Sequence, residues 1–262
     1  MSIPKTPEKR ISNSFNNAKK ELECISKKNN KEKPVEAWCH DFFVNVLGYD
    51  KGNVDYRENT CGRKAVDLTI SDGKKQVLWL CECKKISENL NKWVDELQKY
   101  CCERNAKWGI LTNGISWRMY HFYHDGNTPK YALIYEIKDI LRISNCKSGR
   151  EILFPFCIEA LKKSIREKLL NKKMALSDNC FGQALLSKNV LEALRKQIKI
   201  REGFKIGEEE LVLQIKNLIP QFKGLKVSKK GSKKTPCRKA SRQKTEETEQ
   251  ALETINEEGE NK

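Results

Sequence analysis

Three positions in this chain have the residue types and spacing to do chemistry at an anionic centre. They are Asp67, within Val66-Asp67-Leu68, and Glu82 and Lys84, within Leu80-Cys81-Glu82-Cys83-Lys84. The apolar run Val77-Leu78-Trp79-Leu80-Cys81 reads as a buried strand, yet it ends in Glu-Cys-Lys. A strand's period of two sends Glu82 and Lys84 to one face and the Cys83 side chain to the other, so only the Cys83 backbone carbonyl is left to reach the first face. If the chain reverses over 72–76, Asp67 falls opposite Glu82, about 4.5–5.5 Å away at Cβ. Two carboxylates at that spacing repel unless a proton or a cation lies between them. A divalent cation with oxygen ligands satisfies both, and Lys84 sets a positive charge beside an anionic reaction centre. That combination suits phosphodiester hydrolysis: a metal polarises the phosphate and acidifies a water, while the ammonium stabilises or orients the attacking hydroxide. The same residues also fit a cross-strand salt-bridge cluster at a sheet edge, because Glu-x-Lys is common and usually solvated.

Several elements must position these residues. A helical pattern opens at Pro34, a residue favoured at a first helical position. It carries Val35, Trp38, Phe42, Val46 and Leu47 on one stripe and ends at Gly48. Strand-like pieces follow at 54–58, 65–70 and 77–81, the last two joined by the turn signal Ser71-Asp72-Gly73-Lys74. A second helix is expected over 88–104, with Leu90, Val94, Leu97 and Cys101 marking its apolar stripe. Residues 108–112 form a buried-strand candidate, Asn113-Gly114 a tight hairpin, and 116–124 the returning strand, with 131–137 available as one more. This order predicts an α/β domain over 34–143. Residues 1–33 are polar and read as a loose arm or a marginal helix. A helical module is expected over 150–220, and 221–262 has the composition of a disordered tail.

Charge narrows the partners. Lys and Arg number 51 against 35 Asp and Glu, a net charge of +16. Between 223 and 244 lie ten basic residues and no acidic one; between 245 and 262 lie seven Glu and one Lys. Residues 1–222 are basic by themselves, which favours a polyanionic partner such as nucleic acid, although a basic chain is equally a soluble chain. No run approaches the ~20 apolar residues of a membrane helix, and the first 20 residues lack the apolar middle of a secretory signal. The expectation is a cytoplasmic protein that does not enter a membrane. Eleven scattered cysteines, without zinc-knuckle spacing, read as reduced packing thiols. His40, His121 and His124 read as packed or surface residues.

An Asp on one strand of a hairpin followed by Glu-x-Lys on the next resembles the PD-(D/E)xK nuclease superfamily. More specifically, the stretch 34–120 resembles the N-terminal nuclease domain of type I restriction enzyme R subunits. The ordered pieces are Gly48-Tyr49-Asp50, Gly62-Arg63-Lys64-Ala65-Val66-Asp67 and Leu80-Cys81-Glu82-Cys83-Lys84, then Tyr100, then Ala106-Lys107-Trp108-Gly109-Ile110-Leu111-Thr112-Asn113-Gly114 with Trp117 and Tyr120. They span about a third of the chain.

The resemblance implies a restriction-endonuclease-like mixed sheet flanked by helices. It also implies a Mg²⁺-dependent DNA endonuclease for which Mn²⁺ substitutes. Residue by residue, Asp67 and Glu82 would hold the metal, with the Cys83 carbonyl beside them, and Lys84 would be the catalytic lysine. Glu36 fits the place of a superfamily Glu on the first helix and equally suits a solvated first-turn position. Nucleic-acid contacts are implied at Arg63, Lys64, Tyr100 and Gln98. The restriction subfamily carries Gln four residues before the Tyr; here that place holds Glu96, and Gln98 lies on a different helix face. Val66 stands where a Pro would precede the first Asp. No Gly-x-x-x-x-Gly-Lys-Ser/Thr loop of a helicase motor occurs, so the implied partners are DNA and a separate helicase or specificity subunit. Two other readings stand beside the enzyme: a non-catalytic DNA-binding or adaptor protein on a nuclease-like fold, and an interaction protein whose tail recruits a partner.

Overall fold

Alternating and continuous apolar runs assemble into one mixed sheet. The computed structural model describes residues 3–28, 31–56, 65–222 and 224. The strands β1 (Val54–Tyr56), β2 (Leu68–Ser71), β3 (Val77–Cys83), β4 (Trp108–Thr112), β5 (Trp117–Asp125) and β6 (Thr128–Ile137) lie in chain order across it. β3 and β4 pair in parallel, and every other neighbouring pair is antiparallel. Helices α1 (Lys5–Lys28) and α2 (Glu32–Phe42) precede the sheet. Helix α3 (Val94–Glu103) makes the crossover that a parallel pair requires, and α4 (Lys147–Leu153), α5 (Ile158–Lys162) and α6 (Ile165–Ala175) follow. The expected mixed α/β architecture with flanking helices is what the chain adopts.

β3 sends Trp79, Cys81 and Cys83 into a core shared with α1, α2 and residues 153–170, and Leu80 into a second core built on α3. A strand covered on both faces must be apolar on both, which is why 77–81 reads as one continuous run. On the α3 side the helix lies almost on the backbone of β4. A Cβ added at Gly109 would stand 2.8 Å from Phe122 Cε2, 3.1 Å from Leu97 and 3.2 Å from Cys101. Gly109→Ala is therefore expected to cost about 1–3 kcal/mol through overpacking, read as a lower urea midpoint. An unchanged midpoint would show that α3 yields freely.

Several expectations change. Residues 5–28, read as part of a loose arm or a marginal helix, form a 24-residue helix. Pro7, Ile11, Phe15 and Leu22 recur on one side and are buried, and the Trp38 indole donates to Ala18 O at 2.8 Å. Tertiary burial of this narrow stripe outweighs the polar composition. The second core helix begins at Val94, six residues later than expected, because Asn89 caps a 3₁₀ turn at Leu90–Lys92. The Asn113-Gly114 reversal spans 113–116, with Gly114 at φ 83° and the buried Asn113 amide donating to Ile86 O and Glu88 O. Residues 147–175 form short helices, broken at Pro155 and at Ser164, whose φ is positive.

The chain divides into two compact units at 175/176, so residues 150–175, expected in a separate helical module, pack with the sheet. In the second unit α7 (Asp178–Leu185), α8 (Lys188–Glu202) and α9 (Glu208–Leu218) enclose Leu186, Leu191, Leu211, Val212, Ile215 and Phe222. The charged tail expected over 221–262 lies, beyond Phe222 and Gly224, outside the described residues. Among the described residues no helix is long and apolar enough to cross a membrane.

Candidate active site

The reversal needed to bring Asp67 to Glu82 forms at 72–76. Asp72 Oδ1 accepts the N–H groups of Lys74 and Gln76 at 2.8 Å each, and Lys75 takes a positive φ. β2 and β3 then pair Leu68 with Cys81 and Thr69 with Leu80. One further step in that register sets Asp67 opposite Glu82. β2 starts only at Leu68, so the ladder opens at this point, and the Asp67 carboxylate replaces a backbone carbonyl. Its Oδ2 accepts the Cys83 N–H at 2.8 Å. On the other side the Lys84 N–H still donates to Thr112 O of β4 at 2.8 Å. The backbone is thus fixed through Lys84 while its β2 edge is freed for side chains.

Glu82 and Lys84 share the α3 side of β3, and their side chains meet, Nζ to Oε1, at 2.5 Å. Asp67, Glu82, Lys84 and Glu36 are 6, 3, 5 and 5% exposed. They are buried together rather than laid open in a cleft or solvated at a sheet edge. Burial, then the charge of Glu82, pushes the Asp67 carboxyl up to about 9. Burial likewise raises Glu82 to about 7, although Lys84 pulls it down. Burial works against the Lys84 ammonium, but Glu82 outweighs it and holds Lys84 above its ordinary value. Glu36 is buried on α2, and its charge is one of the smaller contributions that keep the proton on Asp67.

The donor set fits a hard cation. Glu82 Oε2 is buried and has no hydrogen-bond partner among the described residues, an arrangement that costs free energy unless something fills it. Among the described residues no group of three or more His, Cys, Asp or Glu side chains forms a ready metal cage. Two carboxylates suffice for Mg²⁺, which keeps several waters and takes further oxygens from substrate phosphates. The Cys83 thiol turns away as expected: it lies 3.9 Å from Cys81 Sγ in a buried cluster, so only the Cys83 backbone faces the carboxylates.

α3 contributes what was not foreseen in the sequence. Lys84 Nζ lies 3.7 Å from Glu96 Oε2 and 4.4 Å from the centre of the Trp93 ring. The Tyr100 hydroxyl donates to Glu96 Oε1 at 3.3 Å. Tyr100 is therefore joined to the site, but as a buried residue acting through Glu96. Gln98 sits roughly 200° around the helix from Tyr100 and does not share that face. Arg63 and Lys64 lie outside the described residues. The available signal for Glu96 was its spacing of four from Tyr100, which places both on one helix face.

Residues 31–138 match the family model described as type I restriction enzyme R protein N terminus. No curated protein matches the chain, and no solved structure does.

Proposed function

We propose that this domain, with residues 31–138 matching the N terminus of type I restriction enzyme R proteins, is a divalent-metal-dependent DNA endonuclease of the restriction type. The observation that carries the reading is Glu82 Oε2, buried and without a hydrogen-bond partner among the described residues, beside Asp67 and Lys84. Asp67 and Glu82 would hold Mg²⁺ or Mn²⁺, with the Cys83 carbonyl as a further oxygen. When bound, the cation supplies Lewis-acid polarisation of a phosphate oxygen and lowers the pKa of water. Lys84 places a fixed ammonium where negative charge develops on the phosphate, in a water-poor site that strengthens its effect. Glu36, buried on α2, contributes a small electrostatic effect at Asp67, and the Asp67–Cys83 hydrogen bond locks the carboxylate to the end of β3. DNA is the substrate that matches both the family and the basic chain; Arg63 and Lys64 shortly precede Asp67 in the sequence, and Tyr100 joins the site through Glu96. A separate subunit supplies translocation or target selection.

The test is conversion of supercoiled plasmid to nicked or linear product with Mg²⁺ or Mn²⁺, with and without EDTA. Cleavage that EDTA stops is the expected result. Salt-sensitive DNA binding with no metal-dependent turnover would replace the enzyme by an adaptor on the same fold.

A further inference from the structure

Lys84 is held from three sides, and its partners differ in what else they must do. Glu82 contacts the ammonium through Oε1 and keeps Oε2 free among the described residues. Glu96 reaches it at 3.7 Å from α3, and the Trp93 ring lies under it at 4.4 Å. Tyr100 steadies Glu96 from one turn along the helix. Glu82 is also a carboxylate that a divalent cation would claim. An ammonium 5% exposed cannot be left without a counter-charge when that happens, because a buried unpaired charge is strongly unfavourable. Glu96 is the second carboxylate already within ion-pair distance.

We infer that Glu96 is a positioning residue that takes Lys84 over when Glu82 turns its oxygens to a divalent cation. In the metal-free protein Lys84 serves as the internal counter-ion of Glu82. With metal present, Glu96, backed by Tyr100 and Trp93, keeps the ammonium paired and in place. This inference rests on the metal-binding reading of Asp67 and Glu82.

The experiment measures Mn²⁺ affinity by electron paramagnetic resonance on the full chain, so the readout is independent of cleavage. Glu96→Gln is expected to weaken Mn²⁺ binding about tenfold, the scale of losing a partner that orients a ligand set. Lys84→Met, which removes the competing cation, binds at least as tightly as wild type. In the double variant the Glu96→Gln loss disappears, because no ammonium remains to be moved. Glu96→Asp keeps the charge with a shorter reach and gives an intermediate value. Equal weakening by Glu96→Gln in both backgrounds would show that Glu96 acts by bulk charge or as a ligand, and would overturn the inference. So would an unchanged affinity for Glu96→Gln alone. If wild type and Asp67→Asn both fail to bind Mn²⁺, the metal reading falls and this one with it; if only the Asp67 variant fails, the two readings are judged separately.

Discussion

Asp67→Asn should abolish plasmid cleavage while leaving the protein no less stable than wild type in metal-free buffer. Its carboxyl is buried against Glu82, and burial and that neighbouring charge both disfavour its ionised form. Asn keeps the shape and still offers an oxygen to the Cys83 N–H, and it is neutral without having to hold a proton. Stability is thus spared or improved, as expected where a site holds groups in unfavourable company for the sake of function. Cleavage is expected to fall by about 10²–10³-fold or more, the scale of removing one preorganised charge from a reaction centre. Lys84→Met should lose cleavage on the same scale while still binding Mn²⁺. The split between the two variants distinguishes a ligand from an electrostatic group. Paired melting curves and single-turnover cleavage decide it: cleavage by Asp67→Asn at the wild-type rate would remove the carboxylate pair from the chemistry.

The reach of the sequence differs among these residues for physical reasons. Asp67 was legible as facing the end of β3 because a strand has a period of two and the 72–76 turn has an Asp-Gly signature, but its exact partner was not. The register next to the turn, Ser71 with Val77, would set Asp67 opposite Cys81, and an irregularity between Ile70 and Ser71 shifts it by one residue to Glu82. The pairing of Glu82 with Lys84 followed from the same alternation. Glu96 was not legible as a partner of Lys84, since its place depends on how α3 lies across the sheet. That is set by the close approach at Gly109 and by the late start of α3 behind the Asn89 cap. Burial of the site was also hidden, because an Asp-and-Glu-x-Lys pattern looks the same in a solvated edge. Helix α1 was legible only as a loose arm or a marginal helix for another reason: its buried positions form a stripe one residue wide in a polar segment, and the partners that hold it lie 20 and 149 residues away, as with Ala18 and Trp38 and with Arg10 and Glu159.

Arg10→Met should be the most destabilising of the surface-near substitutions, and its cost should depend on pH. The Arg10 guanidinium donates from Nε to Val46 O and from Nη2 to Leu47 O, both at 3.0 Å, and pairs with Glu159 at 2.5 and 2.8 Å. It therefore caps the π-helical stretch Phe43–Leu47 that ends the first core helix and ties α1 to α5. Gly48 has room only for hydrogen beside it: a Cβ there would meet Arg10 Cζ at 2.2 Å, and its φ is +83°. The paired side chains are 23% and 22% exposed. The pair is thus worth more than a surface ion pair and less than the 3–5 kcal/mol lost on breaking a fully buried one. With two capping hydrogen bonds at about 1 kcal/mol each, the expected loss is about 3 kcal/mol at pH 7. Burial raises the Glu159 carboxyl, but the Arg10 hydrogen bonds outweigh it and hold it below its ordinary value. A depressed acid contributes stability above its unfolded pKa, about 4.3, and loses it as pH falls through the lower folded value. The gap between wild type and Arg10→Met should therefore narrow on going from pH 7 to pH 3, leaving mainly the two carbonyl caps. Urea denaturation at the two pH values measures it. A gap that is constant, or below about 0.5 kcal/mol at pH 7, would mean that the guanidinium packs there without contributing its charge.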